Sequence, residues 1–183
     1  GKLEPYVSMF HLREKNLPPK ELYEGILAML RAGVPLSKIT VNDRADVALA
    51  AGVRAVQLPE SGLDPLVVKA AFPGLRVGKS VHRLQEAAEA ERQGTDYVLF
   101  GHVYPSPPKP GLPGRGTAVL KEICQALHIP VIAIGGIRPE TVREVISAGA
   151  AGIAVMSGIL DAPDPLSAAR EYDQQLREAE SCE

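Results

Sequence analysis

A parallel α/β fold is what this sequence predicts, and three observations carry the prediction. Short apolar runs rich in β-branched residues alternate with helical periodicity along the chain, the pattern of a parallel sheet buried on both faces. A glycine closes a helix one to three residues before an apolar run at Gly52, Gly94 and Gly149, where the left-handed residue ending a helix favours glycine. No Gly-x-Gly-x-x-Gly follows the first run, which argues against a dinucleotide-binding sheet. The closed alternative, a (β/α)₈ barrel of the TIM type, is the expectation.

The elements follow in order. The first strand falls within 6–13 and ends at the loop of Arg13, Glu14 and Lys15. Pro18 and Pro19 open a helix through 21–30, and Gly33 stops it. A short strand at 39–42 delivers Asn42, Asp43 and Arg44, and a helix over 45–51 stops at Gly52. Strand 55–58, helix 63–71, strand 76–81 and the Ala/Glu-rich helix 84–93 continue the alternation. The run at 97–100 has the apolar content of a buried strand, and Gly101 and His102 end it. A loop rich in proline and glycine then carries Lys109 and Arg115. A helix over 118–127 and a buried strand over 130–136 come next, the strand meeting Gly135 and Gly136. Pro139 starts a helix that Gly149 ends. The last strand spans 152–158, and Pro165 opens a terminal helix with a charged tail, 177–183, expected to fray. This makes seven strands where a barrel needs eight. Residues 1–5 read as the end of a preceding helix, so a first strand and most of its helix are expected outside this numbering.

Composition narrows the function. At 183 residues, 1–183 reads as a single domain with a substantial core. A net charge of −2 gives no basic excess for nucleic acid. Cys124 and Cys182 form no disulfide framework or metal spacing. The absence of a signal peptide and of a bilayer-spanning apolar run leads to the expectation of a cytoplasmic protein with no membrane partner. A homodimer is the default for such a barrel.

Chemistry-bearing residues gather at the strand ends. Gly135 and Gly136 follow the penultimate strand, and Ser157 and Gly158 follow the last. Backbone N–H groups there can approach an anion, and barrels often bind phosphate at this pair of loops. His11, Arg13, Lys15, Asn42, Asp43, Ser80 and Lys109 converge on other strand ends as substrate-binding candidates. His102 directly follows a buried strand and a glycine, and its ordinary pKa near neutrality suits an acid/base role. No Ser-His-Asp spacing or zinc-ligand pattern competes with it.

Several ordered motifs together resemble the thiamin phosphate synthase superfamily. They are His11-Leu-Arg-Glu-Lys15, Val41-Asn-Asp-Arg44, Ser80-Val-His82, Gly101-His-Val-Tyr104 with Lys109, Ala133-Ile-Gly-Gly136 and Ala154-Val-Met-Ser-Gly158. Within the superfamily they look most like the TenI branch, the thiazole tautomerases. His11 stands where a synthase typically has Gln, and Gly101-His102 where it has Gly-Pro. The turn Pro59-Glu-Ser-Gly62 stands where a synthase carries a second Mg²⁺-binding aspartate, leaving Asp43 alone as a poor metal site. Ser106 and Pro108 replace the threonines before the loop lysine. The resemblance implies an isomerase acting on a 2-carboxy-4-methylthiazole phosphate, with no metal or cofactor and His102 moving the proton. Gly136, Ser157 and Gly158 would then hold the phosphate, and Arg13 and Lys109 the carboxylate. The alternatives are the Mg²⁺-dependent synthase itself and a non-catalytic regulator that binds thiazole phosphate.

Overall fold

The computed structural model describes residues 1–105 and 111–181. Ser106, Pro108, Lys109 and Cys182 lie outside them, so the expectation for Lys109 does too. Seven parallel strands run in chain order: β1 (Phe10–Leu12), β2 (Ile39–Asn42), β3 (Ala55–Leu58), β4 (Arg76–Val81), β5 (Tyr97–Gly101), β6 (Val131–Ile134) and β7 (Gly152–Ala154). Helices connect them: α1 (Pro19–Arg31), α2 (Ala45–Ala50), α3 (Pro65–Ala71), α4 (Leu84–Arg92), α5 (Gly116–Ala126), α6 (Val142–Ser147), α7 (Ser157–Leu160) and α8 (Pro165–Glu180). The sheet is a curled half-barrel whose pairing runs from β1 to β7. The α/β class and the seven strands are as expected, while the described strands do not make the full eight-stranded barrel. Where residues 1–5 read as the end of a helix, the structure has a single 3-10 turn (Glu4–Tyr6).

Alternation along the strands sorts side chains to two faces. The outer face carries Ile39, Val41, Val56, Leu58, Val77, Val81, Val98, Phe100, Val131 and Ala133, all buried against the helices. Leu120 and Ile123 of α5 and Val142 and Val145 of α6, each fully buried, complete the largest cluster. The hydrophobic core thus lies between sheet and helices, and the concave face is left for other chemistry.

Two element ends differ from the sequence reading. The last strand stops at Ala154, and Ser157 and Gly158 instead begin the short helix α7. The terminal helix runs to Glu180, beyond the residue where fraying was expected. Ala179 is buried there, and Arg177 pairs with Asp173 at 2.9 Å. Among the described residues no helix is long and apolar enough to cross a membrane.

Candidate functional site

The concave face divides by polarity, and register shows how. Asn42 pairs with Gln57, Gln57 with Gly78, and Gly78 with Tyr97, so these residues share one level on one face. Gln57 is buried; its Nε2 donates to the Ser80 hydroxyl at 3.1 Å, while its Oε1 has no partner. On the other side, Leu99, Ile132, Ile134 and Ala154 occupy matching positions of β5 to β7 and make an apolar half. The concave face therefore offers hydrogen-bonding groups from β2 to β4 and a hydrocarbon wall from β5 to β7, suited to a flat ring with polar substituents.

His11 lies two residues deeper, paired with Thr40 at the floor. Its ring stands edge-on to Tyr97 at 6.5 Å. The Arg76 guanidinium lies 5.2 Å from the same Tyr97 ring. Desolvation on this face and, secondarily, the Arg76 charge hold the His11 pKa down to about 4, although the residue is exposed on the edge strand. Burial pushes the Tyr97 hydroxyl up to about 12. His11 is thus a neutral group of the floor, while Arg13 and Lys15 are exposed cations in the loop beyond it.

The glycine-rich ends serve packing as well as any ligand. Gly135 has φ +102°, and a Cβ there would stand 2.6 Å from the His102 Cβ. Gly136 has φ +67°, and its Cβ would meet the Pro105 carbonyl oxygen at 2.4 Å. The exit of β6 is therefore pressed against the loop leaving β5, which only glycine permits. His102 is buried, and its Nε2 donates to the Pro113 carbonyl at 2.9 Å. Its own carbonyl accepts from the Arg115 N–H at 2.9 Å. These two bonds fold residues 111–115 back onto the end of β5. Tyr104 continues the fastening by donating to Glu144 at 2.8 Å, and Thr117 donates to the other oxygen of that carboxylate.

Asp43 has φ +65°, and its N–H donates to the Gln57 carbonyl at 2.9 Å. Its carboxylate faces the loop between β3 and α3, 3.2 Å from where a Gly62 Cβ would be. The opposing loop offers Glu60, which instead meets the His82 imidazole at 3.3 Å. The His82 Nδ1–H donates to the Gly101 carbonyl. Among the described residues no group of three or more His, Cys, Asp and Glu side chains is placed to hold a metal. Oxygen donors are present around Asp43, but Lys79 stands among them. Its Nζ lies 3.3 Å, 3.3 Å and 3.4 Å from the carbonyl oxygens of Glu60, Gly62 and Leu63. This donor set does not fit a shared divalent ion.

The structure thus brings Asn42, Gln57 and Ser80 together on the concave face and sets Asp43 at its rim, with His11 below. Gly135, Gly136 and His102 gather at the other end. Gln57 donates to the Ser80 hydroxyl, a pairing that residue types and spacing alone do not show. Tyr97 and Lys79 had no assigned role.

A curled parallel sheet with its polar groups on the concave face defines a barrel-type α/β protein that carries its site at the strand ends. Within that class, the chain belongs to the thiamine monophosphate synthase (TMP-TENI) family, whose pattern matches residues 2–159. A thiamine-phosphate synthase of Chlorobium phaeovibrioides is 41% identical over 177 residues, covering 93% of this chain and 83% of that protein. One from Pyrococcus furiosus is 37% identical and covers 96% and 86%. The solved thiamine phosphate pyrophosphorylase from Pyrococcus furiosus superposes with a TM-score of 0.87 at 37% identity, covering 97% of this chain and 87% of that one. A 3-hexulose-6-phosphate synthase structure, 24% identical with a TM-score of 0.76, shares the fold.

These relatives overturn the tautomerase reading. That reading rested on His11, on Gly101-His102 and on the turn at Pro59–Gly62, against similarity that extends over nearly the whole chain. The isomerase reaction goes, and with it the proton shift that His102 was expected to perform.

Proposed function

We propose that this chain is a thiamine-phosphate synthase, a transferase that joins a thiazole phosphate to a pyrimidinylmethyl diphosphate. The observation that carries the reading is 37–41% identity, over 93–96% of the chain, to proteins of that name. In the reaction the thiazole ring nitrogen attacks the methylene carbon. The new C–N bond forms as the C–O bond to diphosphate breaks, and diphosphate leaves with the electron pair. Such a reaction needs two anionic ends held apart and an electrophilic carbon aimed at one nitrogen.

The concave face supports this division of labour. Leu99, Ile132 and Ile134 form a wall for the thiazole ring, and its phosphate lies toward Gly136, Ser157 and Gly158. Asn42 and the Gln57–Ser80 pair offer hydrogen bonds to the pyrimidine, and Gln57 Oε1 is the acceptor still without a partner. Arg13 and Lys15 are the cations for the diphosphate, and Lys109, outside the described residues, is a further candidate for that role. His102 is a positioning residue that fixes the loop over β5 through Pro113 and Arg115.

Incubation with both half-molecules tests the proposal. Thiamine phosphate and inorganic diphosphate should appear together, and neither half alone should release diphosphate. Tight binding of thiazole phosphate with no coupled product would instead support the regulator.

A further inference from the structure

We infer that Lys79 is the resident cation at the rim of β2 and β3, where its ammonium group amid three backbone carbonyls holds the β3–α3 loop in the way a shared divalent metal would. This goes beyond the synthase reading and bears on it, because a synthase of this superfamily would be expected to use Mg²⁺ at this rim.

The first indication is positional. Val77 and Val81, the neighbours of Lys79 on the same face of β4, are both buried apolar residues. A lysine between them breaks the pattern of a strand whose outer face packs on helices. The exception is explained by where the side chain ends. An ammonium has three donors, and three carbonyl oxygens, of Glu60, Gly62 and Leu63, surround it at 3.3–3.4 Å.

Charge points the same way. Partial burial holds the Lys79 pKa below the ordinary lysine range, and the carboxylates of Asp64, Asp43 and Glu60 offset part of that lowering by favouring the charged form. Backbone carbonyls with carboxylates are the donors that hard divalent cations take. Here those donors already surround a fixed positive charge, and a divalent ion would have to displace it or sit beside a like charge. Lys79 also reaches further than neutralisation requires. From β4 it crosses to the segment connecting β3 and α3, whose Gly62 flanks Asp43. One side chain thereby ties β4 to the exit of β3, beside Asp43.

The test uses the intact protein, with metal alone as one probe. Mn²⁺ binding followed by electron paramagnetic resonance should show no stoichiometric site in the unaltered chain. Hydrogen exchange at the Gly62 amide, which donates to the Pro59 carbonyl at 3.0 Å, should be the same in EDTA and in millimolar Mg²⁺. In Lys79→Met, which keeps the stem and removes the charge, exchange in the loop over 59–64 should accelerate at least about tenfold. This is the scale of losing hydrogen bonds from a charged donor. Exchange in β5 and β6 should stay unchanged. A stoichiometric Mn²⁺ site in the unaltered protein would overturn the inference. So would loop protection that rises with Mg²⁺, or a Lys79→Met loop that exchanges at the unaltered rate. The metal measurements need no variant, so they decide the matter even if Lys79→Met fails to fold. Thiamine phosphate formation is assayed separately, so a chain that makes none yet passes these tests loses the synthase reading alone.

Discussion

Gly135 shows why single residues in this site answer to two demands. Its φ of +102° disfavours any side chain, and a Cβ would meet His102 at 2.6 Å. Strain at such a position costs about 1–3 kcal/mol, and forced overpacking costs about as much again. Gly135→Ala should therefore lower unfolding free energy by about 2–4 kcal/mol in a urea titration; a change within about 0.5 kcal/mol, the scale of an ordinary surface substitution, would mean the contact is not tight. For the same reason a bulky residue at Gly136 is a poor probe of phosphate binding, since it disturbs the β5 loop first. Arg13 is cleaner, being exposed in the loop after β1. Removing a charged hydrogen-bond donor costs about 1.5–3 kcal/mol, so Arg13→Ala should weaken inorganic diphosphate binding by about 10- to 100-fold, read by calorimetry. Unchanged affinity would remove Arg13 from the diphosphate site. The strand-end glycines and Ser80 were visible in the sequence as residue types. That Gly135 and Gly136 press on His102 and Pro105 was not, because such a contact depends on how two loops approach one another in space.

At the scale of elements, the sequence was most informative where burial decides. The strands at 39–42, 55–58 and 76–81 stand where apolar patterning puts them. Gly52, Gly94 and Gly149 all have positive φ after their helices. Legibility failed where tertiary contacts end an element. The last strand stops at Ala154, and α7 begins at Ser157, with Gly158 under the Tyr172 hydroxyl at 2.4 Å from its virtual Cβ. That hydroxyl donates to the Ile137 carbonyl at 2.9 Å, so α8 packs beneath two loops that patterning alone cannot relate to it. Helix α5 buries Leu120 and Ile123 fully in the same cluster as Phe100 of β5. Leu120→Ala should destabilise by about 2–5 kcal/mol, the cost of removing a fully buried leucine from a core. A loss under about 1 kcal/mol, measured by thermal or urea unfolding, would show that the helix is not anchored there.

For the whole molecule, the half-barrel separates stability from function by layer. The core lies outside the sheet, and the concave face keeps polar groups that the core could not accept. Part of this face should make stability depend on pH. His11 is held below its ordinary range, to about 4, so between pH 6.5 and 4 the unfolded chain binds a proton that the native chain refuses. Stability should fall as pH drops through that window; solvent at the ring makes the effect modest. His11→Gln should flatten that part of the profile, and an unaltered slope would place the dependence elsewhere. Function was less legible than fold. A few substitutions in otherwise matching motifs suggested a different reaction, and similarity over nearly the whole chain corrected it. Synthase activity is tested most directly by a coupled-product assay with thiazole phosphate and pyrimidinylmethyl diphosphate, following both products by chromatography. Thiamine phosphate and inorganic diphosphate should form in equal amounts, rising together with time and enzyme. Substrates that remain unjoined at enzyme concentrations that bind them would contradict it.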